Sequence, residues 1–443
     1  MLNKENAYKI IDKVLSYCNY YTLVTVSSDE EGLTRFANSE IHQNVFSANN
    51  VVSVAVYKGK KESKVTTNLL SDEGLRQAVL DAEENLKFLP EGDIEIPELL
   101  EPKEIACEDY DCELDLKFDI PKRAELIKAG IDKLEDGFIA AGALSNKKMV
   151  ISIGNNRGVK RYGRTDTINF NVVVIHESGS SGYSEYSTNA AGELDVLSEF
   201  ERAYKKAKMG IDPVSMEPGS YTVILEPLAV SDLLSYMSYC GFSARSAQIG
   251  TGYLTGKLGQ KVFGENITIT DDTENSNTFP LYFDFEGYKR EKLNIIEKGF
   301  VRELAYDTRS AIKDGVRTTG HSIGDTSIGG FPINLIIEGG NDTLEGMVKS
   351  IKKGILVTRF HYMNIVDPRQ AVLTALTRDG LFLIENGEIK CGVKNMRFTE
   401  SMLNAFSNVT SITSERKKTP GFFGVNYVPT LRIENFHFTG KTE

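Results

Sequence analysis

At 443 residues the chain is longer than one ordinary core can organise, so two or three domains are expected. Hydrophobic content of 41% and charged content of 26% are those of a soluble globular protein. The net charge of −11 argues against a protein that tracks a nucleic-acid backbone, and the densest basic run, SERKKT at 414–419, reads as a short solvated loop.

The first predicted element is a helix over 3–18, with Ala7, Ile10, Ile11, Val14, Leu15 and Cys18 on one face. This opening stretch is charged and amphipathic, without an apolar h-region or cleavage site, so it is not expected to be a signal peptide. No apolar run approaches the ~18 residues needed to span a bilayer. The five cysteines, Cys18, Cys107, Cys112, Cys240 and Cys391, include no CxxC and suit a reducing compartment. A cytoplasmic protein, free of membrane and nucleic acid, is the expectation.

Alternating β-branched runs follow over 20–28 and 34–68. Ser71 is placed to cap a second helix whose face is Leu75, Val79, Ala82 and Leu86, ended by Pro90. Residues 89–115 hold three prolines and many acids without a period, and read as a linker. Cys107 and Cys112 within it lack a second Cys/His pair to complete a metal clip. The pattern then repeats: a helix over 121–135, strand-like runs to about 190, and a helix over 194–209. RFANSEIHQNVFSANNVVSVAV aligns with SIGNNRGVKRYGRTDTINFNVVV, which suggests an internal duplication. Residues 209–220 read as a second linker. The remainder is mostly antiparallel β, with a hairpin at 377–393 (TRDGLFLIENGEIKCGV) and helices at 229–240, 342–352 and 399–405. The expected fold is α+β: a duplicated helix–antiparallel-sheet–helix N-terminal region, 1–115 and 116–212, followed by a mostly antiparallel β domain, 213–443.

Candidate chemistry is sparse. His42, His176, His321, His361 and His437 are dispersed, and HExxH, HExxxH and P-loop patterns are absent. GTGYLTGKLG at 250–259 reads as a flexible Gly-rich surface loop. Asp271 with Asp272, and Asp284 with Glu286, are carboxylate pairs suited either to a divalent ion or acid/base work, or to capping turns. Cys240 or Cys391 with His361 would be the makings of a thiol nucleophile, if a cation lowered the thiol pKa. Residues 358–380 set His361, Asn364, Asp367, Arg369, Arg378 and Asp379 among apolar residues. These line a peptide cleft or form an internal hydrogen-bonded network.

Several stretches together, RFANSEIHQ with VVSVAVYKGKK, KLGQKVF, ITITDDT, FDFEGY, GFVRELAYDTRSA, IENGEIK, VKNMRFTESML and VPTLRIENFHF, resemble the TldD/PmbA family, and its TldE (PmbA) type in particular. The resemblance covers nearly the whole chain. It implies a heterodimer of two related subunits, of which the TldD type binds zinc through HExxxH and a C-terminal cysteine and hydrolyses peptides. The TldE type lacks these ligands and completes a chamber. On this alignment Ser235, Tyr236 and Cys240 fall on the HExxxH window, and TSERKKT lies near the place of the C-terminal cysteine. The resemblance therefore implies no metal and no catalytic residue in this chain, zinc in a TldD-type partner, and a peptide or unfolded substrate. The chain would be inactive by itself, with a homodimer open when it stands alone. Two other readings stay beside it: an independent peptide hydrolase using a thiol or an unrecognised metal site, and a non-enzymatic interaction protein such as a gyrase modulator.

Overall fold

The computed structural model describes residues 1–99, 101, 103–109 and 113–441. Cys112 lies outside the described residues.

The helix–strands–helix pattern occurs twice. Helix Lys4–Leu15 starts at Asn3, whose side chain accepts from the Asn6 N–H at 2.8 Å, and it buries Ala7, Ile11 and Val14. Strands Tyr21–Ala37, Glu40–Lys58 and Lys61–Thr67 follow as an antiparallel meander. The first turn is Asn38-Ser39, with φ of 50° and 62°, the left-handed pair that a tight hairpin requires. Ser71 accepts from Gly74 N–H at 3.2 Å and caps helix Asp72–Asn85, which buries Leu75, Ala78, Val79 and Ala82. In the second copy, Asp119 caps helix Ile120–Ile131, and strands Phe138–Asn155, Lys160–His176 and Ser181–Thr188 lead to helix Val196–Met209, capped by Asp195. The first strands of the two copies pair antiparallel, Leu23 opposite Asn155 through Phe36 opposite Gly142. Both copies thus share one sheet.

The segment read as a linker over 89–115 contributes to that sheet. Ile105–Asp109 pairs in parallel with residues 161–165 of strand Lys160–His176. Its surrounding prolines and acids hid a strand too short to show its own alternation.

The C-terminal half is a mixed sheet. Strand Gly219–Leu225 pairs in parallel with Lys353–Asp367 and antiparallel with Val425–Lys441, while Lys353–Asp367 and Val372–Glu385 form the long hairpin. The helices are Pro227–Gly241, Leu344–Lys349 and Met402–Ser407, close to the predicted positions, with two further short helices at Ala244–Gln248 and Thr308–Asp314.

Two loop readings are corrected. SERKKT belongs to strand Val409–Pro420, paired with Val425–Lys441. Its Lys417 and Lys418 side chains are only 16% and 5% exposed, and they meet Glu199 at 3.1 Å and Glu193 at 2.8 Å. Those carboxylates come from the N-terminal half, so the two lysines of the run are matched across the fold and not by solvent. GTGYLTGKLG is anchored: Tyr253 and Leu254 are buried. A Cβ on Gly241 would sit 2.3 Å from the Tyr253 ring, so the missing side chain at the helix end is what admits that ring.

The halves meet through an apolar cluster in which Leu23, Ala55, Ile151 and Ile153 pack with Leu281, Phe283, Phe331 and Ile333. Arg161, fully buried, donates from Nε to the Gly287 carbonyl at 2.7 Å. Among the described residues no helix is long and apolar enough to cross a membrane.

Candidate functional site

Strand Gly219–Leu225 is buried at its end and runs into Glu226, the N-cap of helix Pro227–Gly241, with Pro227 in the first turn, where a missing N–H costs no helical bond. The helix is apolar nearly all round. Val230, Leu233, Leu234, Met237 and Cys240 are buried in the main C-terminal core. Five of its polar side chains fall into two sets, four or three residues apart, and so occupy distinct faces.

The first set is Ser231 and Ser235. Both accept from the side-chain amide of Asn426, at 2.8 and 2.9 Å. Ser231 also donates to the Pro420 carbonyl at 3.2 Å. Asn426 was not singled out in the sequence. The cue was present: it shares the inward phase of strand Val425–Lys441 with buried Val428.

The second set is Asp232, Tyr236 and Tyr239. The Tyr236 hydroxyl donates to the Met363 carbonyl at 2.8 Å, and its ring meets Phe422 edge-on at 5.2 Å. Tyr239 touches the same ring at 6.5 Å. Tyr239, Phe422 and Phe423 are each about half exposed, forming an aromatic rim. Asp232 accepts from the Phe360 N–H at 3.3 Å. Burial pushes its carboxyl up to about 7, opposed by that N–H and by Arg359.

Ser235, Tyr236 and Cys240 do not fit a zinc ion. The first hydroxyl is held by Asn426 and the second by a backbone carbonyl. The third group is a thiol buried in the apolar core, which pushes its pKa up to about 12. Among the described residues no three His, Cys, Asp or Glu side chains converge as metal ligands do.

The same burial leaves Cys240 unsuited to nucleophilic attack. Cys391 is separated from His361 by the sheet register. His361 pairs with Leu376 and Cys391 with Leu383 on one strand, and seven residues of strand span about 23 Å.

The polar residues of the long hairpin gather only in part. Asp379, buried and with φ of 53°, accepts from Arg359 Nε at 2.9 Å and from Ser181 Oγ at 2.7 Å. Arg378 lies 3.7 Å from the same carboxylate. The Arg359 guanidinium sits 3.7 Å over the Tyr183 ring, and Tyr183 donates to Glu185 at 2.8 Å. His361 packs on Tyr362, and burial together with Arg378 and Arg359 holds it below the usual imidazole range. Asn364 is exposed and donates weakly to the Tyr362 carbonyl at 3.4 Å. Asp367 closes a turn by accepting from Arg369 N–H at 2.9 Å. Arg359 was missed, although it stands directly opposite Arg378, and two facing cations require a carboxylate nearby.

The carboxylate pairs serve the loops. Asp284 accepts from the N–H groups of Glu286, Tyr288 and Ser322 at 3.0, 2.9 and 3.0 Å. Asp271 accepts from Ile333 and Asn334 N–H at 2.6 and 2.9 Å, and its other oxygen lies 3.5 Å from His321. Asp272 accepts from Glu274 N–H at 2.9 Å, and Glu286 from Thr308 N–H at 3.0 Å.

The sequence profile of the PmbA/TldA metallopeptidase C-terminal domain matches residues 218–440. An uncharacterized protein of Methanocaldococcus jannaschii is 31% identical over 191 residues, a match spanning 41% of this chain and 45% of that protein's length. A metalloprotease of the same organism is 22% identical over 452 residues, covering 96% of this chain and 95% of its own. The crystal structure of TldE from Thermococcus kodakarensis shares the fold, with a TM-score of 0.85, 21% identity, and coverage of 98% of this chain and 99% of that one.

Proposed function

The chain belongs to the PmbA/TldD family, and on that premise we propose that it is a non-catalytic, TldE-type subunit of a heterodimeric zinc metallopeptidase. It pairs with a TldD-type chain that carries HExxxH and the zinc, and it supplies part of a chamber that holds extended peptides for cleavage.

The observation that carries this reading is the helix Pro227–Gly241. The window that would bear the zinc ligands is filled by Ser235, Tyr236 and Cys240, and each is committed elsewhere: to Asn426, to a main-chain carbonyl and to the core. The half-exposed rim of Tyr239, Phe422 and Phe423 beside this helix gives an apolar surface for peptide side chains. Of the polar hairpin residues, His361, Asn364 and Arg378 reach the surface, where a peptide could meet them, and buried Asp379 fixes Arg359 and Arg378 in place.

The test is affinity capture of the tagged chain from its own host, followed by metal analysis and peptide cleavage assays on the isolated complex. A complex of about one to one with a related HExxxH chain is expected, with zinc in that chain and cleavage abolished by chelation. A purified chain that cleaves peptides by itself after exhaustive chelation would sink the reading.

A further inference from the structure

We infer that the cleft between helix Val196–Met209 and strand Val409–Pro420 binds the C-terminal end of a peptide, taking the free carboxylate on a cationic wall and the last side chain on an apolar floor.

The cleft has a volume of ≈ 540 Å³, within the ~300–1,000 Å³ of small-ligand sites. Both halves of the chain build it. Its apolar floor is Met209, Pro227, Leu228, Leu356 and Ile389. Its wall carries Arg202 and Lys206 from the helix, with Arg416 and Lys417 from the strand. Pro227 and Leu228 open helix Pro227–Gly241, whereas the window at 235–240 lies toward its other end, so the cleft is a separate place on the fold.

Charge selects the ligand. Glu199 takes both Lys417 at 3.1 Å and Arg202 at 3.4 Å, and Glu226 takes Lys206 at 2.7 Å. Lys205, also lining the cleft, pairs with Glu201 at 2.6 Å. Arg416 lies over the Tyr427 ring at 4.3 Å and, among the described residues, forms no ion pair. Arg202, Lys206, Arg416 and Lys417 thus meet only Glu199 and Glu226 along this wall, in a chain whose net charge is −11. Burial holds the Lys417 ammonium below the usual lysine range; Glu199 opposes the shift, and Arg202 and Lys206 add to it. A ligand carboxylate relieves that crowding. The helix end adds to the same field. Its N-cap, Glu226, makes no side-chain capping bond, because its carboxylate is turned to Lys206 and to the Thr358 hydroxyl at 2.7 Å. Pro227 and Leu228 bring this uncapped first turn, the positive end of the helix dipole, to the cleft.

Asp342 and Glu415 are exposed on the outer side of the cleft. They disfavour a second negative charge there, which selects against polyanions and for a single acidic end on an otherwise neutral or basic chain. An apolar group beside one carboxylate is the chemistry of a peptide's last residue, and equally of a fatty acid. The choice of the peptide rests on the peptide-holding reading above, and the test separates the two sources.

Isothermal titration calorimetry of the purified full-length chain with acetyl-Ala-Ala-Leu, with its C-terminal amide and with decanoate tests the proposal. The free acid is expected to bind with a dissociation constant of about 1 mM or tighter, and the amide about tenfold more weakly or worse. Arg202→Gln with Arg416→Gln removes two partly exposed cations without opening the core. It should weaken binding of the acid about tenfold and leave the amide unchanged. Met209→Asp, at a 40% exposed position on the floor, should weaken both peptides. Equal binding of acid and amide, an acid indifferent to the arginine changes, binding of decanoate alone, or no binding of any probe overturns the proposal. None of these results bears on capture of an HExxxH chain, and a failed capture leaves the difference between acid and amide to be judged by itself.

Discussion

At Ser235, Tyr236 and Cys240 the decisive fact is where each side chain is spent. Restoring the ligand types by Ser235→His, Tyr236→Glu and Cys240→His together should not restore zinc. The imidazole at 235 has to displace the Asn426 amide, the imidazole at 240 has to enter a filled core, and the third ligand has no counterpart in TSERKKT. Elemental analysis of the triple variant should find zinc far below one per chain, with a lowered unfolding midpoint; a stoichiometric zinc content would show that the pocket is more adaptable than its packing indicates. Asn426→Ala leaves Ser231 and Ser235 without their shared donor and should cost about 1–3 kcal/mol in denaturant unfolding. Asp232 gives a pH signature. Its folded pKa is raised from 3.8 to about 7, chiefly by burial, so the folded state holds this proton more tightly than the unfolded state does. The associated stability is fully present below about pH 4 and is lost as pH rises through about 7. Asp232→Asn should therefore gain stability relative to the parent as pH is raised across that window; a pH-independent difference in melting temperature would show that the carboxyl is not buried in this way.

Among the elements, strand Val409–Pro420 has the greatest mechanical consequence, because it carries Lys417 and Lys418 into contact with Glu199 and Glu193 of the other half. Lys417→Ala leaves Glu199, only 6% exposed, to Arg202 at 3.4 Å and the Ser184 hydroxyl alone, and should cost about 1–3 kcal/mol. Lys417→Ala with Glu199→Gln should recover part of that loss, and equal destabilisation in the single and double variants would remove the pair from the account. This strand also shows where sequence reading stops. Helices were legible because Ala7, Ile11 and Val14, or Leu75, Val79 and Ala82, repeat at helical spacing behind a capping Asn or Ser. The duplication was legible because its strands are long and β-branched. SERKKT was not, since four adjacent charged residues look solvated until the carboxylates that meet them, more than two hundred positions away, are brought close by the fold. Ile105–Asp109 failed for brevity and Tyr253 for its glycine-rich setting. At the candidate site, Cys240 and Met237 were recognisable as core from periodicity, whereas Asn426 and Arg359 acquire their meaning only from cross-strand and helix–strand partners.

For the molecule as a whole, the question is whether the two halves fold as one unit. Their junction has the density of an interior. Phe283 is fully buried against Leu23, Ala55, Ile151 and Ile153, and a Cβ on Gly163 would lie 2.9 Å from Leu281 and 3.3 Å from Phe283. Arg161, on the same strand as Gly163, reaches across to the Gly287 carbonyl, and Ser181 reaches Asp379. Lys206 meets Glu226 at 2.7 Å, tying helix Val196–Met209 to the N-cap of the candidate-site helix. Contacts of this kind, apolar packing with buried donors matched to acceptors, make separate melting of either half expensive, since each would expose the other's buried face and orphan its polar groups. The intact chain should therefore show one calorimetric transition whose van't Hoff and calorimetric enthalpies agree. Phe283→Ala should cost about 3–5 kcal/mol by leaving a cavity at the junction. Combined with Arg161→Met, which leaves the Gly287 carbonyl without its donor, it should divide the transition into two. Two independent peaks in the unmodified chain would mean that the halves are coupled too weakly for the junction to position helix Pro227–Gly241 against the N-terminal sheet. One undivided peak in the double variant would place the coupling elsewhere, in the Lys417–Glu199 and Lys206–Glu226 pairs.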